Sequence, residues 1–253
     1  KINVDKEVFL VSVNPGKVII DANQSQLFNI GKTGILSVNG LQIRNAHNVD
    51  GGSAFINNGQ LIVENSVICN SSSFYDNSHP VWENITYEDN GEINHAFTED
   101  CRNTGVGGAI LNRGTLIISK SSLHNNLGHW GGAIADFGKT TIDSSVFYNN
   151  AGVHGGVIYT NTRNPLAIQN SLFENNTALK TIDYCALRLY TTGWSLYDGN
   201  SHQVESICNI PIGSGGVIYT NSSLMIENSE FKDNSASYGG VVAAIADSFN
   251  SQS

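Results

Sequence analysis

Apolar residues recur along this chain in short bursts of period two, set off by glycine pairs, serine and asparagine. Gly131–Asn150, reading GGAIADFGKTTIDSSVFYNN, shows the pattern most completely. Its opening Gly-Gly-small-Ile, alternating apolar middle and Ser-x-Phe-x-x-Asn close return in the same order elsewhere. Alternation at period two places successive side chains on opposite faces of a strand, so each burst predicts a strand with one face inward. The middle reads Leu36-x-Val38, Leu61-x-Val63, Leu116-x-Ile118, Leu166-x-Ile168 and Leu224-x-Ile226 in successive copies. After Ile118 the period slips before Ser121-x-Leu123 resumes it, so the chain turns there. Each copy therefore predicts three short strands, with glycine pairs and asparagines at the corners.

Gly107, Gly131 and Gly155, and then Gly215 and Gly239, begin copies 24 residues apart. A fixed period of this size marks a solenoid, whose coils share one continuous core. The expectation is an all-β, right-handed parallel β-helix of about 24 residues per coil, forming a single domain over residues 1–253. Neighbouring coils must then pair in parallel, about 4.8 Å apart, to satisfy their backbones. Identical residues stack: Ile/Val, aromatic/Leu, Ser and Asn ladders, the polar ones structural. The copies starting at Gly51 and Gly155 overrun this period, which predicts two long loop insertions at about 72–106 and 177–214. Both begin after the Asn corner and end at a glycine pair, so both emerge from one edge of the solenoid. Insertions on one face of a repeat protein are its usual binding surface.

Composition narrows the class further. Only 14% of residues are charged, and the net charge is −9 with no Lys/Arg-rich run. That balance argues against nucleic acid or an anionic membrane as partner. The longest apolar runs, Val8–Val13 and Val241–Ala246, fall far short of the roughly 20 residues needed to span a bilayer. The chain opens at Lys1 without a leader, and the coil begun at Val241 stops at Ser253 without a cap. It therefore reads as a piece of a longer exported protein.

The cysteine spacing matches no zinc pattern, so two disulfides of an exported protein are expected, with free buried thiols as the alternative. Cys69 stands before the first insertion and Cys101 near its end, so these are expected to pair. Cys185 and Cys208 both lie in the second insertion and are expected to bridge it, cross-pairing being the alternative. Sequons at Asn23, Asn70, Asn84, Asn175 and Asn221 fit an exported surface.

The GGA[I/V] and Phe-x-x-Asn pairing resembles the repeats of chlamydial polymorphic outer-membrane proteins and of adhesin-like surface proteins of methanogenic archaea. The matching residues are Gly107–Ile110, Gly131–Ile134, Gly155–Ile158 and Gly215–Ile218, with Phe147–Asn150, Phe173–Asn176 and Phe231–Asn234. The resemblance implies a right-handed parallel β-helix with adhesive or passenger roles at a cell surface. It supplies no catalytic residue.

The three coils between the insertions bring Leu127–Trp130 and Ala151–His154 to the edge where both insertions leave. The expectation is a cleft walled by the insertions, with His129, Trp130 and His154 on its floor. Trp130 either stacks on a ligand or packs beneath an insertion as an anchor. The insertions add Trp82, Tyr190 and Trp194 as candidate ligand contacts. Asp89-Asn90-Gly91-Glu92-x-Asn94 offers oxygen ligands to calcium but misses the EF-hand spacing, so a solvated acidic loop and no cofactor are expected.

No nucleophile elbow, zincin, P-loop or dinucleotide fingerprint is present. The function expected is an extracellular, cell-surface adhesin or binding module. It would recognise a glycan, cell-wall polymer or surface protein through the insertion-bearing edge. The alternative is a polysaccharide-degrading lyase or glycosidase, or a phage-type fibre, on the same scaffold. For the enzyme, coil aspartates such as Asp136 and Asp143 would have to supply one carboxylate of a pair.

Overall fold

The computed structural model describes residues 1–73, 84–89, 92–97, 105–179 and 213–244. Within them the chain is a parallel β-helix of about seven turns, and no described residue is helical. Three strands per turn build three parallel sheets. Sheet I stacks Ile2–Val4, Phe28–Ile30, Phe55–Asn57, Ile110–Asn112, Ile134–Asp136, Ile158–Thr160, Ile218–Thr220 and Val242–Ala244. Sheet II runs from Glu7–Val11 through Ile35–Asn39, Gln60–Glu64, Thr115–Ser119, Lys139–Asp143 and Leu166–Gln169 to Leu224–Glu227. Sheet III runs from Val18–Asp21 through Leu41–Arg44, Val67–Cys69, Ser122–His124, Val146–Tyr148 and Leu172–Glu174 to Glu230–Lys232.

Register follows the repeat. Ile110 stands opposite Ile134, Ile134 opposite Ile158, and Ile158 opposite Ile218. The inward row of sheet III stacks Phe147 on Phe173 at 4.7 Å and Phe173 on Phe231 at 5.1 Å, each within 8° of parallel. Ladders of Leu, Ile and Val fill the rest of one continuous core.

The turns explain the fixed serines and asparagines. Before each stands a residue in the left-handed region, for example Lys120 and Asn125, then Ser144 and Asn149. Asparagine tolerates that conformation better than most side chains. The next residue points inward and closes the ladder. Ser121 N–H donates to Ser145 Oγ at 3.2 Å, and Ser145 N–H to Ser171 Oγ at 3.1 Å. Asn150 Oδ1 accepts from both the N–H (3.1 Å) and the Nδ2 (3.0 Å) of Asn126. Asn176 does the same for Asn150, and Asn234 for Asn176. The sequence separation in this ladder is 24, then 26, then 58 across the second insertion. The corner is thus rebuilt in register after each interruption.

Two findings modify the sequence reading. The plain coils carry a fourth short strand: Leu127–Trp130 pairs with Ala151–His154, which pairs with Thr177–Ala178, making sheet IV. With no insertion to accommodate, this segment runs extended and takes the same pairing as the rest of the coil. The insertions are also narrower than expected. Ser72 bridges to His47 and Leu127, Val106 to Trp130, and Ser214 to His154 and Tyr238. Coil geometry therefore continues through Ser73 and Leu179 and resumes at Gly105 and Gly213. Within the first insertion Asn84–Asp89 and Glu92–Phe97 form an antiparallel hairpin.

The expected Cys69–Cys101 bridge is not formed, and no disulfide occurs among the described residues. Cys69 is a free thiol with 1% of its surface exposed. It follows the inward Ile68, so it projects from the outer face of sheet III, in the row of Arg44 and His124. There Gln42 Nε2 donates to its sulfur at 3.6 Å. Cys101, Cys185 and Cys208 lie outside the described residues.

Candidate functional site

The insertion-bearing edge is the corner between sheets IV and I. Gly131 makes the turn at φ +75°, and a Cβ there would fall on the carbonyl oxygen of Ile134. Only glycine lets the chain fold back this tightly. The turn swings the side chain of Trp130 over the outer face of sheet I, where it packs on Val106, Leu111 and Ala135. Ala135 is small, and that leaves room for the indole. One coil on, His154 stands in register with Trp130 and stacks on it, ring centres 4.4 Å apart.

Sheet I contributes a second aromatic row. Tyr159 and Tyr219 occupy the same outward position in neighbouring coils and stack at 5.5 Å. Tyr159 meets Trp130 edge-on at 5.0 Å and touches Phe137 at 5.8 Å. Tyr219 meets His154 edge-on at 5.4 Å. His129 completes the cluster, 5.5 Å from Trp130 and 5.7 Å from His154. Where sheet I presents Tyr219, the facing position is the small Ser214; where it presents Ala135, the facing position is Trp130.

Burial dominates the electrostatics. His154 is 1% exposed and its Nδ1 has no hydrogen-bond partner. Loss of hydration, with His129 nearby, lowers its pKa to about 3, so the imidazole is neutral at physiological pH. Burial raises the Tyr159 hydroxyl, partly offset by Asn161 Nδ2 at 3.4 Å. Burial, then the neighbouring Tyr159, pushes Tyr219 up to about 12. Between the insertion roots the corner is thus an aromatic strip carrying no buried charge.

Of the residues singled out from sequence, His129, Trp130 and His154 are brought together as expected. Their roles differ from a shared floor. His154 is buried beneath the strip, and Trp130 is half-buried with its ring engaged by His154 and the outer face of sheet I. The described contacts of Trp130 are with the coils themselves. Trp82, Tyr190 and Trp194 lie outside the described residues. So do Asn90 and Gly91 of the acidic run, whose Asp89 and Glu92 are register partners across the hairpin. Among the described residues no group of three or more His, Cys, Asp or Glu side chains is placed to hold a metal ion.

The coil aspartates offered for catalysis are displaced from this edge. Asp136 points inward and is fully buried, taking hydrogen bonds from Asn112 Nδ2 at 2.7 Å and Gly138 N–H at 3.1 Å. Asp143 lies at the far end of a sheet II strand, where Asn170 Nδ2 donates to it at 2.8 Å. Phe137, Tyr159 and Tyr219 were not singled out from sequence. A signal for the tyrosines existed, since Gly155–Asn161 and Gly215–Asn221 both read GGVIYTN.

No protein-family model matches the chain, and neither a curated protein nor a solved structure matches it.

Proposed function

We propose that the chain is a binding module of an extracellular, cell-surface adhesin. Its ligand is a glycan, a cell-wall polymer or a surface protein, held at the insertion-bearing edge. One observation carries this reading. Both insertions root at the same corner, three coils apart, and the coils between them present His129, Trp130 and Tyr159 there. At about 4.8 Å per coil the roots stand about 14 Å apart. Aromatic edges beside an imidazole suit contact with sugar rings or peptide side chains. Of the two aspartates named for the polysaccharide-degrading alternative, Asp136 is enclosed in the core.

The test is a screen of glycans, cell-wall polymers and surface proteins, comparing the intact chain with a His129→Ala variant. This side chain lies at the rim, so the coils remain folded. Loss of the captured ligand by the variant supports the reading. Full retention shows that the ligand binds elsewhere.

A further inference from the structure

A second surface lies across sheet I from the insertions, along the row of turns joining sheets I and II. These turns stack coil upon coil: Arg113 N–H bonds Asn57 O at 2.7 Å, Phe137 N–H bonds Asn112 O at 2.8 Å, and Lys139 N–H bonds Gly114 O at 2.8 Å. The row carries Lys32 in the second coil, Arg113 in the fourth, Lys139 in the fifth and Arg163 in the sixth, all exposed. From the second coil to the sixth it bears no exposed carboxylate, since Asp136 faces the core. None of the four cations forms an ion pair among the described residues. In a chain of net charge −9, these cations form a one-signed ridge parallel to the solenoid axis. Phe137 lies in the middle of it.

We propose that this ridge binds a linear acidic polysaccharide lying along the solenoid, independently of the ligand assigned to the insertion-bearing edge. The geometry sets the polymer class. Coils repeat at about 4.8 Å, and the four cations span four coil steps, about 19 Å. Duplex DNA carries a charge every ~1.7 Å of its axis. A ridge with at most one cation per coil is far too sparse to neutralise that. It suits a chain with about one carboxylate or sulfate per sugar. Phe137 offers an apolar edge for a sugar ring, and Asn161 and Asn164, exposed beside Arg163, offer amide groups to its hydroxyls.

The experiment measures binding of polygalacturonate and of heparin, which separates carboxylate from sulfate recognition, with a single-stranded oligonucleotide alongside. Saturable binding of at least one acidic glycan is expected. From about 50 to about 200 mM salt it should weaken roughly fifty-fold, as expected for about four ionic contacts. An Arg113→Glu/Lys139→Glu/Arg163→Glu variant should lose this binding, while Lys120→Glu on another turn row retains it. Should the triple variant fold poorly, Arg113→Gln and Arg163→Gln singly should each weaken binding several-fold. The proposal is overturned if neither glycan binds at about 50 mM salt. It is also overturned if the ridge variants bind like the parent, or if the oligonucleotide binds as tightly as the glycans. A His129→Ala variant that loses its insertion-edge ligand but still binds acidic glycan would separate the two surfaces.

Discussion

The imidazole of His154 lies against the indole of Trp130, ring centres 4.4 Å apart and planes 25° from parallel. The two residues belong to successive coils, so the stack ties together the strands that run between the insertion roots. It also withholds a titratable ring from water.

That enclosure makes the corner acid-sensitive. The folded pKa of His154 is lowered from 6.5 to about 3, so between those values the unfolded chain binds the extra proton. The stabilisation is complete above pH 6.5 and is lost as pH falls toward 3. Its size is on the order of a few kcal/mol. Urea midpoints measured from pH 7.5 down to 4.5 should fall more steeply for the parent than for His154→Phe. Parallel curves would show that His154 is not the source.

Removing the indole should release the imidazole. Trp130→Ala opens the space above Leu111 and Ala135 at a cost of about 2–4 kcal/mol. It also rehydrates His154, whose pKa should move back toward 6.5. Imidazole titration by NMR checks this. A His154 pKa that stays near 3 in the variant would mean other groups bury it.

Inside the helix, Asp136 is a carboxyl in a row of neutral partners. Asn57 Nδ2 donates to Asn112 Oδ1, and Asn112 Nδ2 to Asp136 Oδ1, both at 2.7 Å; Asp136 Oδ2 has no protein partner. Burial raises its pKa above 3.8, outweighing its hydrogen bonds. The unfolded chain therefore loses this proton first as pH rises. The stabilisation is complete below 3.8 and declines up to the folded pKa. Asp136→Asn continues the amide row toward Thr160, its register partner, and should raise stability at pH 7 by about 1–2 kcal/mol. Thermal melts at pH 4 and pH 7 test this, and a destabilised variant at pH 7 would refute it.

The asparagine ladder should be costly to interrupt. Asn150→Ala leaves the Asn126 N–H and amide without their acceptor, and Leu123 O without the Asn150 Nδ2 donor at 2.9 Å. Groups stranded in a buried corner cost about 1–3 kcal/mol each. A total of about 3 kcal/mol or more is expected by denaturant unfolding. A loss below about 1 kcal/mol would mean the corner repacks around the gap.

The ladders were legible in the sequence because every coil sees the same surroundings, so phase alone encodes which residue meets which. Ile134 and Ser145 could be placed facing inward, and the insertion roots assigned to one corner, without coordinates. Outward residues obey no such rule. Nothing in the inward pattern distinguishes Tyr159, which joins a cluster, from Ala135, which gives way to one. Cys69 misled for a related reason. Spacing placed it beside the first insertion, but strand alternation turns it onto the outer face of sheet III, with the turn at Asn70 still to come before the chain leaves.

Each asparagine corner finds its partners in the coil above and the coil below, and nowhere else. A duplicated or deleted unit such as residues 131–154 would therefore leave every corner closed. The distance between the two insertions would change by one coil, about 4.8 Å, with the chemistry of both preserved. The scaffold is in that sense a ruler with fixed graduations. Descendants of one sequence could match ligands of different span by counting coils rather than by redesigning contacts.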